Sequence, residues 1–359
     1  MKYALPSFFL LTSFFTVVFV LVANSINLSP SRAVDNIKKS LAYSTSDIES
    51  EYSAWVPWWD EPASINSLKN SNNQVKTILP VWYQINEAGK LIETDSKLKE
   101  EVLKVAKELN ISVVPTISNA SGYDFDGERI SKLLGSEELR EGLVANLLEL
   151  AQKNAFRGWD LDWEQVKKED REAYSSFVDL LGKRLNSKNL KLSVTVHAQA
   201  GKVSDWDGTS GQDLKAIGNS ANYVRVMAYD FHHSKSSPGS VTPMDRLSET
   251  LEYSAKVIPL DKLVLGLPSY GYDWIGDEGT AMQYEKIVDY LGKNVIQSQR
   301  DSETYSLYAN FDLEGAEHAL WYEDAESFHE KVKLAKSHGV YQVTLWHLGG
   351  EDPRIWLTD

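Results

Sequence analysis

From Tyr52 onward, short runs rich in β-branched and aromatic residues recur at a spacing that leaves room for one helix between neighbours. They are Tyr52 to Val56, Val75 to Trp82, Ile111 to Ser118, Gly158 to Glu164, Leu192 to His197, Tyr223 to Asp230, Leu263 to Ser269 and Val340 to Trp346. Amphipathic stretches with helix start and stop signals separate most of them: Ser96 to Leu109, Ser136 to Asn154, Glu169 to Leu185, Pro243 to Val257 and Asp324 to His338. Parallel strands need a crossover connection, most often a helix, so this alternation predicts an α/β chain with a parallel sheet. Eight such units predict closure into a (β/α)8 TIM barrel rather than an open doubly wound sheet. No G-x-G-x-x-G follows the first strand, which removes the main support for a dinucleotide site.

About seventy residues lie between the seventh run and the eighth, too many for a simple crossover, with further runs at Tyr284 to Leu291, Thr304 to Phe311 and Ala319 to Tyr322. A small α+β insertion is expected there, at about residues 272–323. Barrel sites lie at the C-terminal strand ends, so this insertion is placed as one wall of a substrate cleft. Ahead of the barrel, Ala4 to Ala23 runs without a charge behind Lys2, which reads as an export signal. Its length matches the ~20 residues of a bilayer-spanning helix, favouring an uncleaved anchor. The alternative is a signal peptide cut after Ala23, for which Leu21 is a poor match. Residues 24–51 are polar and lack an apolar period, so they read as a tether, with the barrel over 52–359.

The 37 basic and 51 acidic side chains leave a charge of -14, which repels phosphate backbones and argues against a nucleic-acid partner. Cysteine is absent, which excludes a disulfide framework, a thiolate nucleophile and a cysteine-held metal. Eleven Trp and 17 Tyr exceed what one core needs, and flat rings with an edge in water suit sugar faces. A monomer that touches a membrane only through its N-terminal helix is expected.

In Arg157-Gly158-Trp159-Asp160-Leu161-Asp162-Trp163-Glu164, the strand period of two sends Trp159, Leu161 and Trp163 outward to the helices and Asp160, Asp162 and Glu164 into the barrel. Stacked acids repel one another and lose solvent, which raises at least one pKa and keeps a carboxyl protonated near neutral pH. Glu164, last on the strand, is the natural proton donor. Asp162 is placed to hold a substrate group, and Asp160 to share a proton with Asp162. A solvated acidic edge opposite a buried Trp-Leu-Trp face produces the same pattern, so the strand alone leaves both readings open. A calcium loop fails on spacing, because its obligatory glycine falls on Gln165 and its bidentate glutamate on Arg171.

The strand resembles the D-G-x-D-x-D-x-E signature of family 18 glycoside hydrolases, the chitinase-like barrels. Met227-Ala228-Tyr229-Asp230 looks like that family's M-x-Y-D, and Leu265-Gly266-Leu267-Pro268-Ser269-Tyr270-Gly271-Tyr272 resembles its seventh-strand G-x-P-x-Y-G segment. Trp346 resembles the tryptophan flooring the cleaved sugar's subsite. Pro80-Val81-Trp82-Tyr83, Pro115 to Asn119, Trp321 to Asp324 and Leu348 to Pro353 are similar to the bacterial branch with spore cortex-lytic and deacetylase-fused members. The similarity covers about residues 52–356, and its specificity lies in the order of the motifs on successive strands.

The resemblance implies hydrolysis of β-linked N-acetylglucosamine glycans, with retention, in which the substrate's own acetamido oxygen attacks the anomeric carbon. It implies Glu164 as acid and then base, Asp162 orienting the acetamido group, Asp160 below it, and Tyr229 bonding the acetamido oxygen. Asp230 is implied at the sugar hydroxyls and Trp346 under the ring. Met227, Asn119, Gln199, Tyr270 and Trp59 are further candidates for substrate contact. No cofactor and no metal is implied; His232-His233 is a poor metal pair, since adjacent residues rarely face one ion. One departure stands out. The signature's first Asp is Arg157 here, so an arginine is expected either to pair with Asp160 or to pin the stack ionised. The rival function is a non-hydrolytic sugar-binding barrel.

Overall fold

A computed structural model describes residues 51–122, 124–202 and 205–357. The expected N-terminal helix and nearly all of the expected tether lie outside the described residues, and among the described residues no helix is long and apolar enough to cross a membrane.

Eight strands form the barrel: β1 (Glu51–Pro57), β2 (Val75–Ile85), β3 (Thr116–Ser118), β4 (Gly158–Asp162), β5 (Lys191–His197), β6 (Tyr223–Met227), β7 (Leu263–Pro268) and β8 (Gln342–Trp346). Each pairs in parallel with the next, and β8 pairs with β1 to close the ring. The third run is broken: Ser112–Val113 pairs with β2 separately, and Thr116–Ser118 resumes beyond Pro115, which has no amide to donate to a ladder. Gly158 opens β4 because the chain there presses on its neighbour; a Cβ would sit 2.0 Å from Lys191 O.

Helices follow where their caps permit. Ser136 accepts from Leu139 N to start α1 (Glu137–Asn154), and Asp324 forms a capping box with Ser327 to start α2 (Ala325–Ser337). Side chains on the outer strand faces, such as Trp159, Leu161, Trp163, Val194, Val224 and Leu265, join the helices in one continuous apolar core. Trp163 stacks on Phe177 at 5.4 Å, so the Trp-Leu-Trp face does point outward. The barrel interior differs: it holds Ser53, Thr116, Asp160, Ser193, Thr195, Arg225 and Thr344, all buried. Polar groups withdrawn from water need partners, and hydrogen bonds supply them to all of these but the Thr344 hydroxyl, beside a small apolar cluster of Trp55, Leu79, Val81 and Trp346.

Between β7 and β8 the chain builds a five-stranded antiparallel sheet from Tyr270–Ile275, Glu278–Gln283, Gln299–Arg300, Leu307–Leu313 and Ala316–Tyr322. A helix, Tyr284–Asn294, covers it through Ile287 and Leu291, packed on Ala309, Leu320 and Tyr322. Tyr284 to Leu291 is thus helix, flanked by strands.

Candidate active site

The acid run leaves the barrel at its C-terminal mouth. Strand β4 ends at Asp162, and three residues later Gln165 turns at φ 53, which stops the strand and lifts Glu164 toward the opening. Two buried amides clamp this exit. Asn119 Nδ2 donates to Glu164 O at 2.7 Å while its Oδ1 accepts from Glu164 N at 2.9 Å. Gln212 Nε2 donates to Trp163 O at 3.2 Å and its Oε1 accepts from His197 N at 2.9 Å, tying β4 to β5. Gly127 lies under the turn, where a Cβ would come within 2.1 Å of Gln165 O.

Asp162, Glu164, Met227, Tyr229, Asp230 and Trp346 line a single cavity of about 230 Å³, with Trp55, Phe125, Thr195 and His197. Asp162 is 7% exposed, and its Oδ1 is buried without a hydrogen-bond partner. Burial first, then the charges of Glu164 and Asp160, push its pKa well above the ordinary carboxyl range. Glu164 Oε2 lies 3.0 Å from His197 Nε2, which has no hydrogen-bond alignment to it. Burial, reinforced by Asp162, Glu164, Asp230 and Asp160, also raises the Tyr229 phenol, so it remains a neutral donor. Tyr229 lies parallel to Trp346, 6.5 Å between centroids at 14°, and Trp55 meets Trp346 edge-on at 5.5 Å. The Trp346–His347 peptide is cis.

Asp230 adopts φ 56 and accepts from Tyr270 Oη at 2.5 Å and Tyr272 Oη at 3.0 Å. Burial raises its pKa despite these two donors, although part of its surface opens to the cleft. Tyr270, expected to touch substrate, is thus buried behind Asp230, with its hydroxyl engaged there. Asn119 is fully buried and engaged with Glu164 and Asp126, so it holds the strand end rather than facing the cleft. Gln199 turns its amide to Thr209 O and Gln212 O, in the loop behind the site. Trp59 stands 54% exposed on the rim, edge-on to Trp58. His232 and His233 engage the backbone of their own loop, at Ser237 O and Lys235 N.

The expectation for Arg157 is corrected. It is exposed at the opposite mouth of the barrel, beside Lys191, and forms no pair with Asp160. The partner is Arg225, whose Nε lies 3.9 Å from Asp160 Oδ1. Asp160 also accepts from Thr116 Oγ1 at 3.0 Å and from Thr195 Oγ1 at 3.2 Å. His197, Gln212, Tyr272 and Arg225 were the residues that sequence reasoning passed over or set aside. Of these, Arg225 carried a signal, since it shares the inward phase of Met227 and Tyr229.

An eight-stranded barrel with stacked acids, a phenol and a tryptophan floor at its C-terminal mouth is a glycosidase of the acid-ladder kind. The chain belongs to glycosyl hydrolases family 18, whose model matches residues 41–351. It is 30% identical over 302 residues to the uncharacterized glycosylase YvbX of Bacillus subtilis, covering 82% of this chain and 87% of that one. It is 25% identical to the cortical fragment-lytic enzyme of Bacillus anthracis, over 82% of this chain and 71% of that protein. Among solved structures, a chitinase from Chromobacterium violaceum superposes with TM-score 0.79 at 26% identity, covering 86% of this chain and 96% of that chain.

Proposed function

We propose that this glycosidase cleaves β-linked glycans on the far side of an N-acetylglucosamine unit, with retention and with the substrate's acetamido group as nucleophile. The orphaned Asp162 Oδ1 carries the reading. A buried acceptor without a partner is costly, and an acetamido N–H in the cavity supplies the missing donor. Asp162 thereby orients the acetamido group, and the neutral Tyr229 donates to its oxygen as that oxygen approaches the anomeric carbon. Trp346 supports the sugar ring, and Asp230, braced by two tyrosines, faces its hydroxyls. Glu164 protonates the leaving oxygen and later takes a proton from the attacking water. Exposed Trp59 extends the sugar-binding surface along the rim.

The substrate is drawn from two polymers, chitin oligomers and the glycan strands of peptidoglycan, in line with the chitinases and cortical fragment-lytic enzymes this chain resembles. Export follows from the uncharged run Ala4 to Ala23, which we propose anchors the protein outside the cytoplasm. The test is product analysis on both glycans with wild type and Glu164→Gln. The wild type is expected to release products with retained anomeric configuration, and the variant to fold normally yet lose about 10²–10⁴-fold in kcat/KM. Equal turnover by the two proteins removes Glu164 from the chemistry, and binding without turnover by wild type establishes a non-hydrolytic barrel instead.

A further inference from the structure

Arg225 is a buried charge that the proposed chemistry leaves unused. It sits in β6 two residues before Met227 and four before Tyr229, so it enters the barrel interior one level below the cavity. Its side chain is 4% exposed. Nε donates to Ser193 Oγ at 2.9 Å and Nη1 to Ser53 Oγ at 2.7 Å, which fixes the plane of the guanidinium against Asp160. The Tyr223 ring lies 5.9 Å from its Cζ. Arg157, Lys191 and Glu51 line with it a small cavity of about 90 Å³ at the N-terminal mouth. Burial pulls the guanidinium's pKa down and Asp160 opposes this, but an arginine does not lose its proton in a protein.

On the Asp160 side, the groups that face the carboxylate are the Thr116 and Thr195 hydroxyls, Arg225, and the acid above it, Asp162; the Tyr174 phenol acts on it at longer range. Both carboxylate oxygens accept from hydroxyl donors, and one faces a fixed cation, an arrangement suited to the ionised form.

We propose that Arg225 is a positioning residue for the hydrolysis: paired with Asp160, it pins the foot of the acid stack as an ion pair and confines the mobile proton to Asp162 and Glu164. This rests on the hydrolytic reading above. Glu164 gives its proton to the leaving oxygen, and the Asp162 hydroxyl, keeping its own proton, then donates a hydrogen bond to the carboxylate left behind. When water attacks the anomeric carbon, Glu164 takes one of its protons and the starting state returns. No proton descends to Asp160. The cation thus occupies the place of the missing first aspartate's ordering role, from another strand.

The experiment is the pH dependence of kcat/KM on chitotetraose for wild type, Arg225→Met and Arg225→Lys, with carboxyl-carbon NMR of the labelled wild type. Loss of the cation raises every acid in the stack, so both limbs of the bell are expected to move about one unit to higher pH in Arg225→Met. Arg225→Lys, which keeps the charge, is expected to return them toward wild type. A purely structural role lowers kcat or the melting temperature at every pH and leaves the limbs in place; that result, in a folded Arg225→Met, overturns the proposal. Should Arg225→Met fail to fold, the wild-type spectrum decides. The Asp160 carbon is expected to keep its carboxylate shift across the range in which Asp162 titrates, and joint titration of the two overturns the proposal. Absence of turnover on any glycan defeats the hydrolytic reading, and the spectrum still judges the ion pair.

Discussion

Two carboxylate clusters sit a short way apart in this chain and behave in opposite ways. At the barrel mouth, burial and neighbouring charge raise Asp162, and burial raises Asp230. Where the inserted sheet returns to the barrel, burial acts on Asp324 and Asp352 in the same direction, yet both end below the ordinary carboxyl range. Asp324 is held down by hydrogen bonds from Arg300 and Ser327, and Asp352 by Arg354 and the amides of Ala325 and Arg354. Below them, Lys331 and Glu323 form an ion pair with side chains 1% and 2% exposed. Burial is common to both clusters, so it does not decide their chemistry. The supply of cationic partners does. Acids that find cations become struts, and the one left with an orphan oxygen, Asp162, is available to a substrate.

The comparison breaks most sharply at Asp162. Asp162→Asn is expected to lower kcat/KM about 10²–10³-fold, as removal of a group acting on developing charge does. The same variant is expected to be more stable than wild type at neutral pH. The native state binds this proton more tightly than the unfolded chain, so wild-type stability falls as pH rises from the ordinary carboxyl range through the native value, and asparagine escapes that loss. Urea titrations at neutral and acid pH check this, the gap closing toward acid. At the strut cluster the largest effect belongs to Lys331→Met, which strands Glu323 as a buried unpaired charge. It is expected to cost about 3–5 kcal/mol in denaturant unfolding while kcat of the folded fraction is unchanged. Asp352→Asn is expected to cost less, about 1–2 kcal/mol at neutral pH. Its pH dependence is the mirror of Asp162→Asn in cause: wild-type stabilisation by this group is present above the ordinary carboxyl range and lost as pH falls through the lowered native value, so variant and wild type converge in acid. An Asp352→Asn variant that is more stable than wild type at neutral pH makes the two clusters alike and removes the contrast.

Much of this was legible in the chain. Period two alone put Asp160, Asp162 and Glu164 on one face and the Trp-Leu-Trp face on the helices, because strand geometry is local. Alternating runs gave the barrel for the same reason. What stayed hidden depends on which residues meet across the closed ring. Arg225 and Asp160 are two strands apart, on β6 and β4, and no spacing within either strand announces their pairing. Arg157, adjacent in sequence to the acids, looked like the partner, yet an arginine before the strand begins projects at the far mouth. The places of Asn119 and Gln199 after strands suggest sugar contacts. Their amides instead satisfy backbone groups that the tight strand exits leave exposed, a demand visible only once the loops are packed. The hairpin Tyr270–Ile275 and Glu278–Gln283 escaped notice because its second strand, Glu-Gly-Thr-Ala-Met-Gln, has little β-branched content and pairs through its register with the first.

The closing contact of the ring has a consequence for how the protein is made. Trp55, in the first strand, braces Trp346 at the end of the last, and Leu348 N donates to Trp55 O just beyond. During synthesis the acids of β4 emerge long before the tryptophan floor that must lie opposite them. A nascent or truncated chain ending before Gln342 holds the whole acid ladder with the open flanks of β1 and β7 unpaired, and it lacks Trp346, the proposed platform for a sugar. With Trp346 as the proposed floor of the subsite, assembly of the binding surface is the same event as ring closure, and a chain becomes able to grip its substrate only at the moment its sheet has no remaining edge on the barrel seam.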